Sequence, residues 1–144
     1  MKDFTWWINT LISGIDEKVN KKNKENAFEK CGKACFQGCD ITEAINEYKR
    51  NTNSVDELLT ELNIVRIGGG NLKIEDNTIS GTYEECYCPF RNALCDSISP
   101  EFCNCTKGWA KSLFEIVLDK PVEVELVQAI GRGDEVCKFV AKLT

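Results

Sequence analysis

The sequence predicts an α+β domain, with N-terminal helices packed on a four-stranded antiparallel sheet made of two hairpins with an intervening helix. Three observations carry that prediction. Apolar residues recur at three- and four-residue spacing through roughly the first 65 residues. The run Gly68-Gly69-Gly70 then interrupts the pattern. Beyond it, short β-branched segments alternate with polar turns around one further stretch of helical spacing. The chain of 144 residues is long enough for one core, so it reads as a single domain. Its helical part covers about 1–65 and its sheet part about 66–144.

Phe4, Trp7, Ile8, Leu11, Ile12, Ile15 and Val19 describe a first amphipathic helix, with Asp3 as its cap. The polar stretch Glu17 to Glu25 either prolongs that helix or links it to the next. Ala27 to Phe36 reads as a second helix, and Thr42 to Tyr48 as a third capped by Thr42. Ser54-Val55-Asp56-Glu57 fits a capping box, in which serine and glutamate side chains satisfy free backbone N–H groups reciprocally. It opens a fourth helix through Leu58, Leu59 and Leu62. The three consecutive glycines read as a flexible connector, since no Gly-Lys-Ser/Thr follows to make a phosphate loop. Leu72 to Ile74 and Thr78 to Ser80 flank Glu75-Asp76-Asn77 as a first hairpin. Gly108 to Leu118 returns to helical spacing and stops before Pro121. Val122 to Ile130 and Glu135 to Leu143 form the second hairpin around Gly131 to Asp134.

A net charge of −5 argues against a nucleic-acid surface, which needs clustered Lys and Arg. The basic run Lys18 to Lys24 reads as a solvated helix end. No apolar stretch approaches the ~20 residues of a membrane span. The N-terminus lacks the basic segment and unbroken apolar centre of an export signal. A cytoplasmic protein without membrane or nucleic-acid partners is expected.

Nine cysteines and no histidine give the composition its chemical character. Without histidine, this chain alone cannot supply Ser-His-Asp or Cys-His catalysis, or a histidine-containing zinc site. Cys31, Cys35 and Cys39 recur every four residues, so on a helix they drift only about 80° around it. They read as core cysteines. Cys86-Tyr87-Cys88 follows the first hairpin, and Cys103-Asn104-Cys105 precedes the helix expected to begin near Gly108. A Cys-x-Cys pair in a regular strand would point its sulfurs to opposite faces, so both pairs must lie in loops or turns to share an ion. Cys86, Cys88, Cys103, Cys105 and Cys137 are the candidate ligands of zinc or another thiophilic metal. A regulatory disulfide and buried thiols without a cofactor stand beside that reading. Cys95 stands apart from these groups.

Cys103, Gly108-Trp109, Lys120-Pro121 and the run Gly133-Asp134-Glu135-Val136-Cys137-Lys138-Phe139 resemble motifs of the vinyl-reductase-like ligand-binding superfamily. The last run is also similar to the aminothiazoline-carboxylate hydrolase-like relatives. Cys31-Gly32-x-x-Cys35, Cys86-Tyr87-Cys88 and Cys103-x-Cys105-x-x-Gly108 resemble an uncharacterised cysteine-rich family of unknown function. The zinc-containing sensors of the wider superfamily hold their ion with Cys, Glu, Cys and Cys. Their first and last cysteines match Cys103 and Cys137, whereas the two between fall at Leu126 and Ala129, which cannot coordinate a metal. The superfamily resemblance further implies a ligand pocket between helices and sheet, with Tyr87, Trp109, Leu113 and Phe114 as candidate walls.

Taken together, the sequence leads us to expect a small-molecule-binding or sensor-type domain with a cysteine-rich, zinc-compatible site. The alternative is a hydrolase or thiol-dependent enzyme of the aminothiazoline-carboxylate hydrolase-like type, with Cys103 or Cys105 as nucleophile and a Glu or Lys as base. A third reading is an interaction module that forms a homodimer through its N-terminal helix, aided by Trp6 and Trp7.

Overall fold

The computed structural model describes residues 4–85 and 100–143. Four helices open the chain: α1 (Thr5–Lys18), α2 (Lys21–Gly38), α3 (Thr42–Arg50) and α4 (Val55–Ile64). A hairpin of β1 (Lys73–Glu75) and β2 (Thr78–Tyr83) follows. The chain resumes in a 3-10 turn, Pro100–Cys103, that runs directly into α5 (Asn104–Leu118). Then come β3 (Val124–Gln128), a second 3-10 turn at Ile130–Arg132, and β4 (Cys137–Lys142). The strands form one antiparallel sheet in the order β1-β2-β4-β3. The expected α+β class and its two hairpins are therefore present.

Local chemistry explains most boundaries. The Asn20 side chain accepts a hydrogen bond from the Asn23 backbone N–H at 2.9 Å, so α2 starts ahead of the apolar residues that first signalled it. The ambiguous polar stretch is thus divided, with its second half inside α2. Ser54 Oγ accepts from Glu57 N at 3.2 Å, and the Glu57 carboxylate reaches back to the Asn53 N–H at 2.8 Å. That is the expected box with its return bond shifted by one residue. The cap of α3 is Ile41, with no side-chain bond, and Thr42 is the first helical residue. Asp119 adopts φ 56° at the end of α5, two residues before Pro121. The Lys49 ammonium donates to the Ile116 carbonyl at 2.6 Å and to Asp119 at 2.7 Å, placing a cation at that helix C-terminus. The expected cap Asp3 lies outside the described residues.

The glycine connector is a built loop. Gly68, Gly69 and Gly70 all take positive φ, between 83° and 96°, a region closed to most side chains. Asn63 clips the loop's far end by a reciprocal pair of 2.8 Å bonds with the backbone of Leu72.

The main core lies between α5 and the sheet, closed at its edges by α3 and α4. Leu113 and Phe114 of α5 meet Phe139 of β4, Ile79 of β2, Leu62 of α4 and Ile45 of α3, all fully buried. Helix α2 lies along α5, and their contact is the most extensive between any two of the described helices. A second, small cluster holds α1, where Ile8 and Phe102 pack on the buried Ile12.

Candidate functional site: cysteines around the start of helix 5

The α2–α5 contact sets where two of the cysteine groups go. Phe28 meets Phe102 with ring centroids 5.2 Å apart, and Phe36 meets Trp109 at 5.2 Å. The two segments therefore run in the same direction. Between those contacts, a Cβ on Gly32 would occupy the position of the Cys105 carbonyl, and one on Gly108 that of the Glu29 carbonyl. Each glycine admits the other helix's backbone. On the far side of the seam Glu29 pairs with Lys107 and Lys111, both at 3.8 Å.

Helical phase then orders the remaining side chains. The buried stripe of α2 is Lys24, Phe28, Gly32 and Phe36. Cys31, Cys35 and Cys39 sit one position behind it, on the flank opposite Glu29, and all three are exposed. The expectation that they are core cysteines is corrected. Two stripes of period four compete for the same helix, and the one with two phenylalanines and a glycine faces inward. Cys105, about 60° around α5 from Gly108, lies on the same side of the helix pair as this trio.

Cys103 goes elsewhere. The expected loop ahead of Gly108 is helical, since Pro100 begins a 3-10 turn and α5 starts at Asn104. Cys103 and Cys105 are therefore about 200° apart around one axis. Cys103 is half-buried against the main core. Its turn packs on the Ile130–Arg132 turn, where the Ile130 N–H donates to Cys137 Sγ at 3.4 Å. Cys137 is itself buried, at the start of β4 and in register with Tyr83 of β2. Asp134 accepts from the Ala129 N–H at 2.9 Å and so shapes the turn that leads to Cys137.

The fold thus brings Cys103 and Cys137 to one end of the sheet. The described chain stops at Glu85 and resumes at Pro100 at that same end. Cys86, Tyr87, Cys88 and Cys95 lie outside the described residues. Among the described residues, no group of three or more Cys, Asp and Glu side chains is gathered closely enough to hold a metal ion. Leu126 is buried in β3, and Ala129 is fully buried just ahead of the 3-10 turn.

Of the expected pocket walls, Leu113 and Phe114 are fully buried in the core, and Trp109 is half-buried. Trp109 stands between Phe36 and Tyr83, with Tyr83 in turn 5.5 Å from Phe139. These rings tie α2 through α5 to the sheet. A surface depression on α2 is lined by Asn26, Glu29, Lys30 and Lys33, on the flank away from the cysteines.

Comparison with known families places the chain at one level only. It belongs to a family of unknown function (DUF6144). The match covers residues 1–143, nearly the whole chain. No curated protein matches it. The expected membership in a family of unknown function is therefore met. No helix among the described residues is long and apolar enough to cross a membrane.

Proposed function

We propose that this chain is a binding or sensor-type domain whose ligand is held by cysteine thiols at the end of the sheet that carries Cys103 and Cys137. The supporting observation is that two cysteines 34 positions apart in sequence are brought to the same end of the sheet by separate elements, Cys103 on the turn entering α5 and Cys137 on β4, where the two flanking 3-10 turns pack together. Buried cysteine alone is ordinary core filler. Two cysteines carried to one end of the sheet by separate elements favour a shared ligand.

A thiophilic ion such as zinc is the ligand class to test first. Zinc in structural sites takes four N or S donors, and without histidine these would be thiolates. The described residues supply two at this end, so Cys86 and Cys88 would have to complete the set. The vinyl-reductase-like kinship would add a small-molecule ligand beside Trp109, the one candidate wall among the described residues that keeps contact with solvent.

The test is metal content and free-thiol count on protein purified without oxygen, chelator or affinity metal. The expected result is about one equivalent of zinc or a similar ion, lost in Cys103→Ser and in Cys137→Ser and retained in Cys31→Ser. Metal-free protein with all nine thiols titratable would overturn the metal reading. A single thiol reacting far faster than the rest would instead favour the thiol-dependent enzyme.

A further inference from the structure

Helix α1 carries two apolar stripes, and the other described residues cover one of them. Ile8, Ile12 and Ile15 recur at four- and three-residue spacing, and Ile12 is buried where this stripe meets Phe102. The second stripe is Phe4, Trp7, Leu11 and Gly14, at spacings of three, four and three. That is the a/d pattern of a narrow helix–helix seam. Phe4, Trp7 and Leu11 are 63%, 54% and 47% exposed, and nothing lies within 4 Å of where a Gly14 Cβ would stand. Trp6, 67% exposed, borders it.

We propose that this stripe is the interface with a second copy of the chain, the two α1 helices packing antiparallel about a two-fold axis. The volumes along the stripe select that occupant. Antiparallel pairing sets Phe4 opposite the partner's Gly14, and Trp7 opposite the partner's Leu11. Each large side chain then faces a smaller one, and the stripe is complementary to itself as a two-fold interface requires. Parallel pairing would stack tryptophan on tryptophan and leave a gap at the glycines.

Charge argues against the competing occupant, a lipid surface. Interfacial helices bind anionic headgroups through Lys and Arg on their polar face. Of the α1 residues Thr5–Lys18 the only basic one is Lys18, at its last position, and Asp16 and Glu17 stand directly before it. The area is sufficient for a reversible dimer. Phe4, Trp6, Trp7 and Leu11 together expose on the order of 400–500 Å², so two copies bury close to the ~1,000 Å² at which specific interfaces begin.

Sedimentation velocity of the full chain with Leu11→Glu and Gly14→Leu variants tests this. The wild type is expected to dimerise with a dissociation constant on the order of 1–100 µM, as befits an interface of this size. Leu11→Glu should weaken it at least about tenfold by burying a charge in the seam. Gly14→Leu should weaken it too, because the new side chain meets the partner's Phe4, although leucine favours the helix. Should Leu11→Glu unravel α1, Gly14→Leu keeps the test open. Ile64→Glu, at an exposed position on α4, should leave the dimer intact. A wild type that is monomeric at ~100 µM overturns the proposal, as does a dimer indifferent to both seam variants. Monomer that binds vesicles of phosphatidylserine and phosphatidylcholine assigns the stripe to lipid and overturns it equally.

Discussion

Gly32 and Gly108 fix how near α2 and α5 can come, and through that spacing they fix where Cys105 sits. A methyl group at either position would fall on a backbone carbonyl of the facing helix, where no rotamer change can relieve it. The helices would have to separate, opening the Phe36–Trp109 and Phe28–Phe102 contacts on either side. Gly32→Ala and Gly108→Ala should therefore each destabilise the protein by about 3 kcal/mol, the upper range for overpacking. Gly38, with open space around it, is the control, and Gly38→Ala should be neutral or stabilising by ~0.5 kcal/mol. Urea unfolding followed by circular dichroism would decide, and equal behaviour of all three variants would sink this account. These roles were only half legible in the sequence. Cys31-Gly32-x-x-Cys35 and Gly108 stood out as motif positions, but a glycine's partner lies on another element, and spacing within one helix cannot name it. The same blindness put the cysteine trio in the core. The repeat 31/35/39 and the repeat 28/32/36 are equally periodic, and only the facing helix chooses between them.

At the scale of elements, the joint between α1 and α2 turns on Lys24. The sequence marked it as part of a solvated basic run, yet it is 8% exposed. Its ammonium pairs with Asp16 of α1 at 2.8 Å and with Glu101 of the turn entering α5 at 3.7 Å. Three segments are thereby tied to one charge. Periodicity could not reveal this, because lysine buries its alkyl stem where an apolar residue would otherwise lie. The hydrogen bond to Asp16 raises the Lys24 pKa above the ordinary 10.5, against the cost of desolvation and with added attraction from Asp16 and Glu101. A lysine whose folded pKa is raised holds its proton more tightly in the folded state. Its contribution is thus fully present below the unfolded value, and is lost as pH rises through the folded one. Lys24→Met should lower the melting temperature at pH 7, by an amount that stays constant to about pH 10 and shrinks above it. Paired thermal melts across pH 7 to ~11.5 would show this. A difference that persists undiminished at the alkaline end would mean that Lys24 acts through packing alone.

At the scale of the whole molecule, the fold class was legible because period 3.6 and period 2 separate cleanly at the glycine run. The order of the sheet was not, since nothing in β3 or β4 says which of them lies against β2. That unread choice puts Cys137 in register with Tyr83 and brings it to the turn bearing Cys103, so the candidate site was no more legible than the topology. The same architecture distributes stability unevenly. Among the described residues, nearly all the buried apolar ones join one cluster between α5, α3, α4 and the sheet, whereas Ile12 is the one buried centre of the cluster that holds α1. Segments with few buried contacts open locally at a fraction of the global unfolding cost. In dilute solution, amides of α1 should therefore exchange with deuterium ~100-fold faster than those of α5 and β4, equivalent to about 3 kcal/mol less protection. If α1 pairs with a second copy, its protection alone should climb with protein concentration, since dimerisation stabilises the closed helix by mass action. Exchange measured at two concentrations separates the cases. Faster exchange in α1 at both would leave the uneven core and remove the dimer, and protection in α1 equal to that of α5 in dilute solution would remove the two-cluster description itself.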